Sequence, residues 1–123
     1  MDKKILVVDD EPENIILISS RLKAHKYQTI SAPDGESCIG KAIQEKPDLI
    51  ILDIVMPGLS GFEVARQLKK DERTKKIPII MLTALAQGKD LIDGLEAGAV
   101  CFISKPFNPA DLIFEVEQAL GSN

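Results

Sequence analysis

Apolar residues recur along this chain in two alternating rhythms. Short unbroken runs such as Ile5-Leu6-Val7-Val8, Leu49-Ile50-Ile51-Leu52 and Ile79-Ile80-Met81-Leu82 read as strands buried on both faces. Tyr27 to Ala32 is a more polar run and fits an edge strand, and Val100-Cys101-Phe102-Ile103 is a fifth strand. Between the runs the spacing changes to three and four. Ile15, Ile18 and Leu22 share a helical face within Glu13 to Ala24, opened by Pro12. Asp34 caps a second helix with Ile39, Ala42 and Ile43 inward, and Pro47 stops it. Ser60 and Glu63 form a capping box for a third helix, which runs to Lys70 with Phe62, Ala65 and Leu68 inward. A fourth helix is weakened by Gly88, Gly94 and Gly98, although Leu91, Ile92 and Leu95 keep helical spacing. Asn108-Pro109 starts the last helix, with Leu112, Ile113, Val116, Ala119 and Leu120 on one stripe.

The pattern is strand-helix five times over, with no linker or repeat. Such alternation predicts an α/β fold of the flavodoxin-like, doubly wound kind: a parallel five-stranded sheet in order 2-1-3-4-5 with helices on both faces. With 123 residues the chain is one domain, residues 1–123, able to bury a real core. In such sheets ligands bind beyond the carboxyl ends of the strands, where the order reverses. Here that point lies between strands one and three.

Five polar side chains collect at that edge: Asp9 and Asp10 after strand one, Asp53 at the end of strand three, Thr83 after strand four and Lys105 after strand five. Asp53 stands out because Asp is depleted in strands and rarely buried alone. Adjacent strands lie about 4.8 Å apart, so the three carboxylates share one pocket. They repel one another unless a cation is present, and Mg²⁺ suits hard oxygen ligands with no His or Cys nearby. A carboxylate can act as nucleophile toward a phosphoryl group, and Thr83 and Lys105 can bind phosphoryl oxygens. Taken singly, each residue has a plainer role: Asp9 and Asp10 as helix caps, Asp53 as a turn residue, Thr83 as a strand end and Lys105 as a solvated charge. It is their ordered combination that carries the chemical reading.

Composition narrows the field little. Apolar residues make up 45% and charged residues 28%, ordinary for a globular protein, and the formal net charge of −4 argues against a nucleic-acid footprint. Cys38 and Cys101 have no metal-ligand spacing and read as reduced, core or near-core residues. No apolar run approaches the roughly 18 residues of a membrane span, and the start lacks a secretory signal, so a cytoplasmic location is the default. His25 reads as a surface residue, and Lys69, Lys70, Lys75 and Lys76 as a solvated loop.

The segments Val7-Val8-Asp9-Asp10-Glu11-Pro12, Leu52-Asp53-Ile54-Val55-Met56-Pro57-Gly58 with Gly61, Leu82-Thr83-Ala84 and Lys105-Pro106-Phe107 together resemble the receiver domain of two-component response regulators, the CheY-like fold, over essentially the whole chain. The resemblance implies that Asp53 is the phosphoacceptor. Asp9, Asp10, Asp53 and the backbone carbonyl of Val55 hold Mg²⁺, and Thr83 and Lys105 bind the phosphoryl group. It implies Phe102 as an aromatic switch, although a plain core role for this residue stands beside that one, and a cis Lys105-Pro106 bond. The implied donor is a sensor histidine kinase or histidine phosphotransfer protein. The implied readout is a downstream target or effector domain at the surface of helix four, strand five and helix five, or a phosphorylation-dependent homodimer. No direct nucleic-acid or membrane partner is implied. The domain is then a signalling module rather than a turnover enzyme, either alone or cut from a larger regulator.

Several positions depart from the common pattern. Val100 and Cys101 replace the polar residues that often precede the switch aromatic. Val55 and Leu85 are apolar where side chains influence phosphate lifetime. Glu115 and Glu117 stand where DNA-binding relatives place arginines. Three other functions fit the sequence less well. A phosphohydrolase of the haloacid-dehalogenase type needs a second acid two residues after its nucleophile, and both Asp10 and Asp53 lack it. A phosphorylation-independent module on this fold would have lost an acid or the Lys. A flavodoxin-like carrier would need a phosphate-binding loop.

Overall fold

The computed structural model describes residues 2–84 and 88–121. Within them the chain alternates strand and helix: β1 (Lys4–Val8), α1 (Pro12–Ala24), β2 (Gln28–Ala32), α2 (Gly35–Glu45), β3 (Leu49–Asp53), α3 (Gly61–Lys70), β4 (Ile79–Thr83), α4 (Gly88–Glu96), β5 (Cys101–Ser104) and α5 (Pro109–Ala119). The strands form one parallel sheet in order β2-β1-β3-β4-β5. This is the predicted doubly wound order, with the reversal between β1 and β3.

The strand runs are apolar throughout because helices cover both sheet faces. Every residue of β3 and β4 is buried. Alternate strand residues feed two cores. Leu6, Ile50, Leu52 and Met81 pack against α2 and α3. Val7, Ile51, Ile80 and Leu82 pack against α1 and α5. β2 is more exposed, as befits a sheet edge.

The caps read from the sequence are present. Asp34 accepts from the Ser37 N–H at 2.8 Å, Asn108 accepts from the Ala110 N–H at 2.8 Å, and Ser60 and Glu63 close a reciprocal box. Three inner faces differ in detail from expectation. In α2 the buried residues are Gly35, Cys38 and Ala42, while Ile39 and Ile43 are half-buried. In α3 Val64 is fully buried and Phe62 only partly. In α4 Ile92 and Leu95 keep helical spacing but are 58% and 57% exposed; among the described side-chain positions of this helix the one turned inward is Gly94, and the Leu91 side chain lies outside them. α4 needs a small residue there, as the Phe102 ring occupies the space beside it.

The loop from Asp71 to Lys76 is not wholly solvated either. Thr74 is buried and donates to the Leu68 carbonyl at 2.6 Å. Lys69, expected among solvated charges, donates to the carbonyls of Ile77 at 2.7 Å and Lys75 at 3.1 Å, and burial pushes its ammonium below the ordinary value. Its stem follows the α3 flank beside Gly98. Both cysteines are free, Cys38 in the core and Cys101 half-buried.

Candidate functional site

Parallel register brings the acids together. Val8 lies opposite Leu52 in the β1–β3 pairing, so Asp9, one residue on, emerges beside Asp53. Asp9 is 1% exposed and Asp53 5%, whereas Asp10, pointing the other way, is exposed. One carboxylate oxygen from each of the three lies within 4.8 Å of the other two. The cluster thus has a buried floor and an open rim.

Lys105 reaches this floor from the far end of the chain. Its backbone N–H donates to the Thr83 carbonyl at 2.8 Å, continuing the β4–β5 ladder past Ser104. Its ammonium then lies 2.9 Å from Asp9 Oδ2 and 3.3 Å from Asp53 Oδ2. Asp9 is held from its other side too, since Oδ1 accepts the Glu11 N–H at 2.9 Å. Thr83, at the end of β4, is fully buried. The Lys105-Pro106 peptide is cis.

The electrostatics follow from this crowding. Burial pushes the Asp53 carboxyl above its ordinary value. The Lys105 ammonium pulls it down and the Asp9 charge pushes it up, with the Val55 N–H hydrogen bond a smaller downward influence. Burial alone would lower Lys105, but hydrogen bonds and charge from Asp9 and Asp53 together hold it above its ordinary value. Both partners are raised, but for different reasons: Asp53 chiefly by burial, which outweighs the pull of Lys105, and Lys105 by the two acids it faces. Three carboxylates against one ammonium leave the pocket net negative, a setting that favours a further cation.

The donor set fits Mg²⁺. It is all oxygen, holds no His or Cys, and leaves Asp10 at a solvent-open rim where water can complete a coordination shell. Val55 is 58% exposed on the loop beyond Asp53. That loop folds back so that the Gly61 N–H donates to the Ile54 carbonyl at 2.8 Å. A Cβ on Gly61 would stand 2.7 Å from Ile54 Cα and 3.1 Å from the Asp53 carbonyl carbon, so only glycine allows α3 to start this close to the strand end.

Phe102 is half-buried on β5. One side of its ring meets Gly94, where an added Cβ would come within 2.7 and 3.0 Å of two ring carbons. Phe102 also lines a groove of about 390 Å³ between β5 and α5. The importance of Gly94 was missed in the sequence. The signal was a glycine inside an otherwise acceptable helix, which marks a close neighbour as often as a weak helix. Leu85 lies outside the described residues.

The comparisons with known proteins agree with this arrangement. The response regulator receiver domain model matches residues 5–117. Protein PilH of Pseudomonas aeruginosa is 38% identical over 95% of this chain and 97% of its own length. The alkaline phosphatase synthesis transcriptional regulatory protein PhoP of Bacillus subtilis is 44% identical over 98% of this chain, and response regulator PleD of Caulobacter vibrioides 42% over 94%. The chain spans only 49% of the former and 26% of the latter. Among solved structures, a response regulator of Chloroflexus aurantiacus superposes with a TM-score of 0.94 at 30% identity, covering 98% of this chain and 99% of its own. The receiver domain of sensor histidine kinase PA1611 from Pseudomonas aeruginosa, which has a magnesium ion coordinated in its active site cleft, superposes with a TM-score of 0.91 at 31% identity, covering 99% and 100%. The chain belongs to the response regulator receiver domain family of two-component signalling systems.

Proposed function

We propose that Asp53 is the phosphoacceptor of this receiver and that residues 1–123 act as one receiver unit. The observation carrying this reading is the triad of contacts at one sheet edge: Asp53 nearly buried, Lys105 3.3 Å from its carboxylate, and three acids with oxygens within 4.8 Å. In the reaction a carboxylate oxygen of Asp53 attacks the phosphorus of a phosphohistidine. The P–N bond breaks, an acyl phosphate forms on Asp53, and the departing imidazole keeps the bonding pair and takes a proton. Lys105 holds the Asp53 carboxylate in place beforehand and offers its ammonium to a phosphoryl oxygen afterwards. Thr83 is the second phosphoryl ligand. Asp9, Asp10, Asp53 and the Val55 carbonyl would hold Mg²⁺, which offsets the negative charge of phosphate and carboxylates.

The donor in this reading is a sensor histidine kinase or histidine phosphotransfer protein. Phe102 is the switch: its ring spans from Gly94 on α4 to the β5–α5 groove, so a shift at Thr83 and Lys105 is transmitted to the α4-β5-α5 surface. The domain signals; it phosphorylates itself and loses the phosphate slowly, without turning over a substrate. No described helix is long and apolar enough to cross a membrane, and a cytoplasmic location belongs to this reading.

The test is incubation with acetyl phosphate, with and without Mg²⁺, followed by intact mass. One added phosphoryl group is expected, dependent on Mg²⁺ and absent from Asp53→Asn. No adduct, or an adduct that survives that substitution, refutes the assignment.

A further inference from the structure

The charge of this protein is unevenly placed. Residues 1–87 hold thirteen acidic and thirteen basic side chains, so they are balanced. Residues 88–120 hold six acidic and only two basic ones, which accounts for the whole formal net charge of −4. Of the two, Lys105 is engaged by Asp9 and Asp53 in the site. α5, Pro109–Ala119, has no basic residue at all.

This acidic third also carries exposed apolar surface. Ile92, Leu95, Val100 and Phe114 are each more than half exposed. Phe114 lines the β5–α5 groove together with Phe102, Pro106, Asp111 and Glu115. At about 390 Å³ the groove is at the small end of ligand pockets, which run from about 300 to 1,000 Å³, and has room for a bulky side chain or two. Its lining includes Phe102, whose ring also meets Gly94, and Pro106, the residue next to Lys105. Ser104 and Pro106, the residues on either side of Lys105, thus both line the groove.

We infer that the β5–α5 groove docks a cationic amphipathic segment of a partner protein, an apolar anchor entering against Phe102 and Phe114 and Lys or Arg side chains pairing with Asp111 and Glu115. This rests on the reading of Phe102 as the switch and adds the chemistry of what reads it. Charge complementarity selects the occupant. A second copy of this chain docked by the same face would set Asp111 and Glu115 against their own counterparts, with no basic residue on α5 to answer them. Nucleic acid is disfavoured for the same reason.

The experiment uses the full chain and a labelled synthetic helix of about 15 residues, long enough to hold helical structure, built from Leu and Lys; a matched Leu and Glu helix is the control. Amide shifts map the footprint and anisotropy gives the affinity. The expected footprint covers Phe102, Asp111, Phe114 and Glu115. The double variant Asp111→Asn with Glu115→Gln is expected to weaken binding about tenfold, and raising salt from about 0.05 to 0.3 M to weaken it further. Phe114→Ala, an exposed change, loses affinity without loss of fold. Phosphorylation by acetyl phosphate changes the affinity about fivefold or more. The proposal is overturned by a footprint elsewhere, by equal binding of the Leu/Glu helix, by an unchanged affinity in the double variant or on phosphorylation, or by self-association of the chain through this groove. Intact mass is read on the same samples. A chain that takes no phosphoryl group refutes the phosphoacceptor assignment, while the footprint still decides the groove.

Discussion

Replacing Gly61 by Ala should damage both stability and the site, for a reason visible in three atoms. The added Cβ would lie 2.7 Å from Ile54 Cα and 3.1 Å from the Asp53 carbonyl carbon, with the Asp53 carbonyl oxygen closer still. Carbon atoms in good contact sit about 3.5–4.0 Å apart, so α3 and the end of β3 must separate by about 1 Å. The obstructing atoms are backbone, which cannot swing aside as a side-chain tip can. The same movement stretches the Gly61 N–H to Ile54 carbonyl bond, now 2.8 Å, beyond hydrogen-bonding range. Overpacking costs about 1–3 kcal/mol and the lost bond about 1 kcal/mol, giving about 2–4 kcal/mol in all. For a chain of this length each kcal/mol lowers Tm by about 4 °C, so a fall of about 8–16 °C is expected. Gly40→Ala is the control. Gly40 lies inside α2 with no heavy atom within 4 Å of its added Cβ, and the change should stabilise by about 0.5–1 kcal/mol. Urea and thermal unfolding of the two variants give the comparison. Acetyl phosphate labelling of Gly61→Ala, well below its Tm, should be slowed because the displaced atoms belong to Asp53 and its neighbour. A Gly61→Ala protein within about 0.5 kcal/mol of the parent would show that the strand–helix closure yields easily, and the argument would fail.

Two further outcomes follow from the same geometry. Gly94→Ala should destabilise by about 1–2 kcal/mol through collision with the Phe102 ring, and the cost should vanish or reverse in a Phe102→Ala background, where Ala becomes the better helix former; additive effects in the double variant would disprove the contact. Burial, then the Glu115 charge and hydrogen bond, push the Cys101 thiol up to about 11, so alkylation at pH near 8 should be slow and should quicken in Glu115→Gln; because the unfolded thiol ionises at its ordinary 9.0 while the folded one keeps its proton, stability should fall as pH rises from about 9 to 11, and fast alkylation of native Cys101 would contradict this.

The sheet and the acid cluster were legible in the sequence because each depends on local signals. Four- and five-residue apolar runs bounded by turn residues are too short for helices and fit doubly covered strands, and Pro12, Asp34, Ser60 and Asn108 mark helix starts by their own chemistry. Asp53 announced itself by standing in such a run. What was not legible depends on neighbours distant in sequence. Val64 and Cys38 are as deeply buried as Ala65 and Ala42 on their own helices, because α2 and α3 pack against each other as well as on the sheet. Lys69 reads as one charge in a basic cluster, yet its stem packs by Gly98 and its ammonium ties down the chain ahead of β4. Gly94 reads as a weak point in a helix until Phe102 is seen beside it.

Lys105 meets Asp9 across 96 residues of chain. That span has a consequence for when the protein becomes competent. Asp9, Asp10 and Asp53 belong to the first three strands and their ends, but the ammonium comes only after β5, the edge strand that is last in the chain. A nascent chain, or one cut before Ser104, presents the acids without the cation that steadies them. The pairing of Lys105 with Asp9 and Asp53 is thereby conditional on a finished sheet, because it joins the first strand of the chain to the last.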